Sequence, residues 1–221
     1  MTNSNEFFKK VFPFWEEINE EERNVLLENS QLEKYRANQN IYDSSECKGI
    51  LIIKSGLVRV YLLSPSGKEI TLYKLKPYDI SILSASCILA NIDFDVLIEA
   101  EEDSEIYVIN PHKYKEIKNN NILVERFTNS VINQSFSDVM WIMNQILFMS
   151  FDKRLAIFLL DESIATKSDT LKITHDYIAK NMGTAREVVS RMLKYFQTEN
   201  MITLSRGTIT LTDKKKLKTL L

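Results

Sequence analysis

Between residues 173 and 196 the chain reads ITHDYIAKNMGTAREVVSRMLKYF. Arg186, Glu187, Ser190, Arg191 and Lys194 recur there at helical spacing, so one helix would carry all five on one face. A guanidinium is a planar fork that matches the O6 and N7 acceptors of guanine, and a carboxylate can accept from N4 of cytosine. Arg186, Glu187, Ser190 and Arg191 are therefore candidates for contacts to base edges, with Ser190 able to reach either a base or a phosphate. Thr184 at the start of that helix, Lys194 farther along it and Arg206 beyond it are candidates for phosphate contacts. Lys214–Lys216 offer further cations. The plain alternative is a solvated face closed on itself by an Arg186–Glu187 or Glu187–Arg191 pair.

The surrounding elements decide between these. Val188, Val189, Met192, Leu193 and Phe196 step by threes and fours on the other side, which predicts a buried face. A shorter helix, Thr174–Asn181, precedes it with His175 and Asp176 in its first turn and Ile178 and Ala179 small enough for close packing. Gly183 supplies the tight turn, and Thr184–Glu199 forms the second helix. Two strands, Ile202–Leu204 and Thr208–Leu211, follow around Arg206-Gly207. Two helices about a glycine turn and then a hairpin make a winged helix-turn-helix, whose second helix enters the major groove. An amphipathic helix, Phe151–Ser163, leads into it.

Farther upstream, Pro111–Ser150 reads as one long helix with Pro111 in its first turn. Ile132, Phe136, Val139, Met143 and Ile146 step by 4, 3, 4 and 3, a heptad seam suited to a homodimer interface. From Val139 to Met149 the helix is apolar nearly all round and must be covered, by a partner helix or within one chain. Between about 35 and 110 the period shortens: Gly49–Lys54, Leu57–Leu63, Glu69–Leu75, Phe94–Ala100 and Ser104–Ile109 are short β-rich runs between turn signals. Alternation is visible in Leu57-Val58-Arg59-Val60-Tyr61. Such strands argue an antiparallel barrel or jelly roll. Residues 6–30 read as one or two helices, with Asn19 and Glu20–Glu22 resembling a cap. The expected fold is α+β: residues 1–110 an N-terminal antiparallel β-roll with its leading helices, 111–150 a long dimerisation helix, and 151–221 a C-terminal winged helix-turn-helix.

Composition agrees with this division. With 221 residues, 44% hydrophobic and 26% charged, two compact units are expected, and collagen-like, disordered and disulfide-scaffold classes are excluded. The net charge of −2 hides a balance of −7 over residues 1–150 and +5 over 151–221, as expected of an acidic sensor joined to a nucleic-acid module. No apolar run reaches the length of a membrane span, and MTNSNEFFKK lacks the order of a signal peptide. Two cysteines, Cys47 and Cys87, suggest a reducing compartment, so a cytoplasmic location is expected. With two histidines, His112 and His175, and neither a Gly-x-Ser-x-Gly nor a Walker-type loop, the chain is not expected to be an enzyme.

Ile173–Phe196 resembles the helix-turn-helix of the CRP/FNR superfamily of bacterial transcription regulators. Lys54–Tyr61 and Gly67–Leu72 resemble that family's cyclic-nucleotide-binding-like β-roll, so the similarity spans essentially the whole chain. The resemblance implies that Arg186, Glu187 and Arg191 read G, C and G in each half of a twofold-symmetric operator, with RNA polymerase as a further partner besides double-stranded DNA. It departs from the family in the effector region. Cyclic-AMP-binding members carry a Gly-Glu pair and a later Arg-Ser pair. Here the matching stretch runs Tyr78–Ala90 and then Asn91–Val96, with Phe94-Asp95 in place of Arg-Ser, and no Arg lies between 60 and 125. A cyclic phosphate needs a cation or oriented donors, so a cyclic nucleotide is not expected. The iron–sulfur branch needs a cysteine cluster that is absent before Cys47. Three readings stay open. One is a small, largely apolar organic effector held by Leu83, Cys87, Phe94, Asp95, Val139, Met140 and Met143. Another is haem or redox sensing through Cys87, with Cys47 and His112 as the other thiol and imidazole of this half. The third is a core with no effector. Apart from the haem reading, no resident cofactor or metal is expected.

Overall fold

A computed structural model describes residues 2–43, 47–85 and 96–221. It divides into two bodies, residues 1–62 with 72–139 and residues 63–71 with 140–221.

The first body begins with helices α1 (Thr2–Val11) and α2 (Glu20–Glu28). The Asn19 side chain accepts from the Glu22 amide at 2.8 Å while Glu22 accepts from the Asn19 amide at 3.1 Å, a reciprocal cap that starts α2 where the acidic run begins. Among the described residues eight strands follow: β1 (Ser30–Tyr35), β2 (Asn40–Tyr42), β3 (Ile50–Ser55), β4 (Val58–Leu63), β5 (Glu69–Leu75), β6 (Ile80–Ser81), β7 (Leu97–Ala100) and β8 (Ser104–Ile109). They form two four-stranded sheets in the orders β1-β8-β3-β6 and β2-β7-β4-β5. The sequence reading missed β1, β2 and β6, which are short or carry mixed polar residues such as SQLEKY. Of the run expected over Phe94–Ala100, Leu97–Ala100 is strand, and Phe94 and Asp95 lie outside the described residues. A core of Phe8, Phe12, Trp15 and Leu26 packs with Ile50, Ile52, Tyr107, Ile109, Tyr114 and Val124.

Two expectations need correction here. The long helix is two helices, α3 (Pro111–Asn120) and α4 (Ile122–Phe148). Asn121 between them adopts φ −132°, ψ 113°, and its side chain accepts from the Leu123 amide at 3.0 Å while donating to Glu22 at 3.0 Å. It closes one helix and caps the next. The strand alternation also fails at Arg59. Instead of facing water it is 1% exposed, paired with Glu99 directly across the β4–β7 ladder at 3.1 Å and lying 4.0 Å from the Tyr61 ring centre. Strand β4 is buried on both faces from Val58 to Tyr61, so period-two patterning cannot apply to it.

The second body holds α5 (Phe151–Thr166), β9 (Thr170–Leu171), α6 (His175–Met182), α7 (Arg186–Thr198), β10 (Ile202–Ser205), β11 (Thr208–Leu211) and α8 (Lys214–Lys218). A three-stranded sheet in the order β10-β11-β9 completes it, with β9 the strand that sequence reading missed. Leu155, Leu159, Ile178, Val189, Leu193, Phe196, Ile202 and Leu217 form its core. Residues 63–71 belong to this body through Thr71, which donates to Asn181 at 2.8 Å in a buried hydrogen bond, and Ile70, which pairs with Met182. A Cβ on Gly183 would meet the Ile70 side chain at 3.2 Å, and Gly183 itself has φ +65°, so the turn suits glycine on two counts. No helix among the described residues is long and apolar enough to cross a membrane.

Candidate nucleic-acid interface

The recognition geometry starts from two caps. Thr174 accepts from the Tyr177 amide at 3.1 Å to begin α6, and Gly183 ends it in the left-handed conformation. Helix α7 then begins at Arg186, with Ala185 as a cap residue that offers no side-chain acceptor. Thr184 therefore lies ahead of the helix, two residues from its first turn, rather than opening it as expected. Val189, Leu193 and Phe196 are fully buried, while Val188 and Met192, expected inside, are half-exposed.

On the opposite side Arg186, Glu187, Arg191 and Lys194 are exposed and Ser190 is half-buried. Two of these side chains have partners on α6. Arg186 Nε is 3.6 Å from Asp176, and Ser190 Oγ is 2.7 Å from His175 Nδ1. The internal pairs considered for this face, Arg186–Glu187 and Glu187–Arg191, are not among the ion pairs of the described residues. A cavity of about 310 Å³ opens beside them, lined by Thr174, His175, Asp176 and Arg186 from the helical side and Ser205, Gly207 and Thr208 from the hairpin. Arg206 is exposed at the hairpin tip, where Gly207 has φ +72°. Lys214 and Lys216 have structural duties instead. Lys214 pairs with Asp169 and holds its carboxyl below the usual carboxylate range, and Lys216 reaches the Glu199 carbonyl at 2.7 Å and its carboxylate at 2.9 Å.

The α4 seam is uncovered within one chain. Phe136, Met143 and Ile146 are exposed and Ile132 and Val139 half-buried. Met140, Trp141, Leu147 and Phe148 add to the same exposed apolar surface, and Phe148 is 80% exposed. Toward its N-terminus the helix is anchored instead, with Val124 and Thr128 buried and Thr128 bonded to Tyr114 at 2.9 Å.

In the first body a cavity of about 300 Å³ lies between α4 and the β5–β6 turn, lined by Tyr73, Lys74, Asp79, Gln134, Ser135 and Asp138 among others. The hydroxyls of Tyr73 and Ser81 are buried, and those of Ser135 and Ser81 act on the Tyr73 phenol. Burial pushes the Tyr73 phenol up to about 12. Of the residues expected to form the effector pocket, the four described ones, Leu83, Val139, Met140 and Met143, are not in the lining of this cavity. Leu83 is half-buried elsewhere, Val139, Met140 and Met143 lie farther along α4, and Cys87, Phe94 and Asp95 are outside the described residues. The lining mixes the hydroxyls and carboxylates of Tyr73, Ser135, Asp79 and Asp138 with the apolar side chains of Val11, Leu75, Ile80, Phe127 and Val131.

The cation that sequence reading overlooked is Arg59, one position outside the window it considered. Arg59 is paired with Glu99, and Lys74 with Glu101 at 3.2 Å. Cys47 is disulfide-bonded. His112 is exposed at the start of α3. Among the described residues no group of three or more His, Cys, Asp or Glu side chains could hold a metal ion.

The same architecture is found in known proteins. Residues 153–220 match the Crp-like helix-turn-helix domain, and residues 32–121 match the cyclic nucleotide-binding domain. A crystal structure from Eubacterium rectale, described as a transcriptional regulator of the CRP/FNR family, is 43% identical with a TM-score of 0.91, over 96% of this chain and 98% of that one. A CooA mutant from Carboxydothermus hydrogenoformans is 25% identical with a TM-score of 0.66, over 87% and 88%. The c-di-GMP-responsive regulator CLP of Xanthomonas campestris shares the fold at 15% identity, with a TM-score of 0.73 over 87% and 99%. No curated protein matches the chain.

Proposed function

The chain belongs to the CRP/FNR family of DNA-binding transcription regulators, and from that premise we propose that it binds a twofold-symmetric operator as a homodimer. The observation that carries the proposal is the exposed face of α7, where Arg186, Glu187 and Arg191 stand together on a helix whose other side is buried. Arg186 and Arg191 take guanine edges and Glu187 takes cytosine, while Lys194, Arg206 and Thr184 meet phosphate. Dimerisation is supported by the uncovered apolar residues of α4, a surface that water leaves unsatisfied until a second helix covers it. Twofold pairing supplies two copies of α7 for half-sites about one duplex turn apart. Contact with RNA polymerase would convert binding into altered transcription, and the location is cytoplasmic, where the chromosome lies. The test is binding to duplex DNA by the full chain and by Arg191→Ala/Lys194→Ala. The parent should prefer particular duplexes and the double variant should lose them; equal binding of all duplexes by both proteins would refute the reading.

Control is assigned to an effector that is not a cyclic nucleotide, taken up beside α4 and acting through the junction at Met149–Asp152. The paired state of Arg59 and Lys74 and the two carboxylates at the Tyr73 cavity support a neutral or cationic ligand bearing an acceptor for the buried Tyr73 hydroxyl. Cyclic AMP should leave the thermal midpoint unchanged; a saturable increase would contradict this assignment. A second reading, redox control, is favoured by the disulfide at Cys47, because disulfides in a reducing compartment are usually transient and regulatory. Operator affinity measured with and without a reductant separates the two.

A further inference from the structure

His175 and Ser190 belong to different helices of the motif, yet imidazole Nδ1 and serine Oγ are 2.7 Å apart. Ser190 stands on the face that carries Arg186, Glu187 and Arg191, so whatever those residues meet, its hydroxyl is next in reach. A hydroxyl has one proton and two lone pairs. If Nδ1 is bare it takes that proton, and the serine oxygen is left able only to accept, as from N6 of adenine or N4 of cytosine. If Nδ1 carries a proton it donates to the oxygen, and the Ser190 proton is released for an acceptor such as O4 of thymine or O6 of guanine. We infer that His175 is a positioning residue that sets whether Ser190 donates or accepts, and so determines which base pair is preferred at the position Ser190 meets. The inference rests on the reading of α7 as the base-contacting helix.

The experiment is competitive binding of the full chain to duplexes differing at single operator positions. The position met by Ser190 is the one whose preference disappears in Ser190→Ala. His175→Ala leaves the Ser190 hydroxyl without its partner on α6 and able both to donate and to accept. It should flatten the preference at that position by roughly three- to tenfold, the worth of one neutral hydrogen bond, and keep the parent's preferences at the other positions. A His175→Ala preference equal to the parent's at the Ser190 position would overturn the inference while leaving the base-reading helix intact. Binding without preference at any position would overturn the base-reading assignment and this inference together.

Discussion

The guanidinium of Arg186 lies 3.6 Å from the carboxylate of Asp176 on the preceding helix, with the two side chains 62% and 68% exposed. A pair this exposed is worth about 0–1 kcal/mol, so it orients the fork without locking it away from a base. Asp176→Asn should therefore raise operator affinity, by no more than about fivefold, and leave the thermal midpoint unchanged. Fluorescence anisotropy with a labelled duplex checks the first and thermal unfolding the second.

Arg191 and Lys194 are one helical turn apart and both exposed, but their assigned tasks differ. Arg191→Ala should cost about 1–3 kcal/mol on the preferred operator and relax the preference at one base pair. Lys194→Ala should weaken all duplexes alike and lower the slope of log affinity against log salt by about one. Salt titrations on preferred and scrambled duplexes distinguish the two losses.

Val139 sits half-buried in the middle of the exposed α4 seam. A carboxylate placed there must be desolvated twice in a paired helix, once from each copy. Val139→Asp should move the sedimenting species from twice 25.7 kDa toward 25.7 kDa and weaken operator binding without touching a base contact. A variant that remains dimeric and binds as tightly as the parent would contradict the α4 pairing.

The DNA-binding half was readable in the sequence because local signals agree there: a capping threonine, a glycine that only the turn requires, and apolar steps of three and four. The start of α7 was misplaced because Thr184 looks like a cap, whereas the chain uses Ala185, which has no acceptor. The break at Asn121 was within reach, since three asparagines in a row at 119–121 are poor helix formers that bond their own backbone. Arg59 was not readable. Its burial depends on Glu99, forty residues away, and only the register of β4 on β7 brings the two together. The Tyr73 cavity was not readable for a related reason: it is assembled from residues of β5, the following turn and α4, and no local pattern marks it.

The Arg59–Glu99 pair carries its own prediction. Removing one partner leaves a buried charge, so Glu99→Ala should destabilise the protein by about 3–5 kcal/mol. Arg59→Met/Glu99→Leu, which removes both charges, should recover most of that loss. Denaturant unfolding of the two variants against the parent is the measurement.

Tyr114 is buried against Thr128, and desolvation pushes its phenol up to about 12, as it does for Tyr73. Unfolded tyrosine releases its proton near pH 10. The folded state thus holds two protons that the unfolded state gives up, and stability present below about pH 10 should fall as the pH rises toward 12. Tyr114→Phe should make that alkaline decline shallower, as judged by unfolding at about pH 9 and about pH 11.

The most direct measurement is selection of bound duplexes from a random pool by the purified full chain. It should return twofold-symmetric sites whose halves each carry a G and a G·C pair, lost on Arg186→Ala or Glu187→Ala. Half-sites made of A·T pairs alone, or a selected pool unchanged by those substitutions, would contradict the assignment of α7 as the reader of bases.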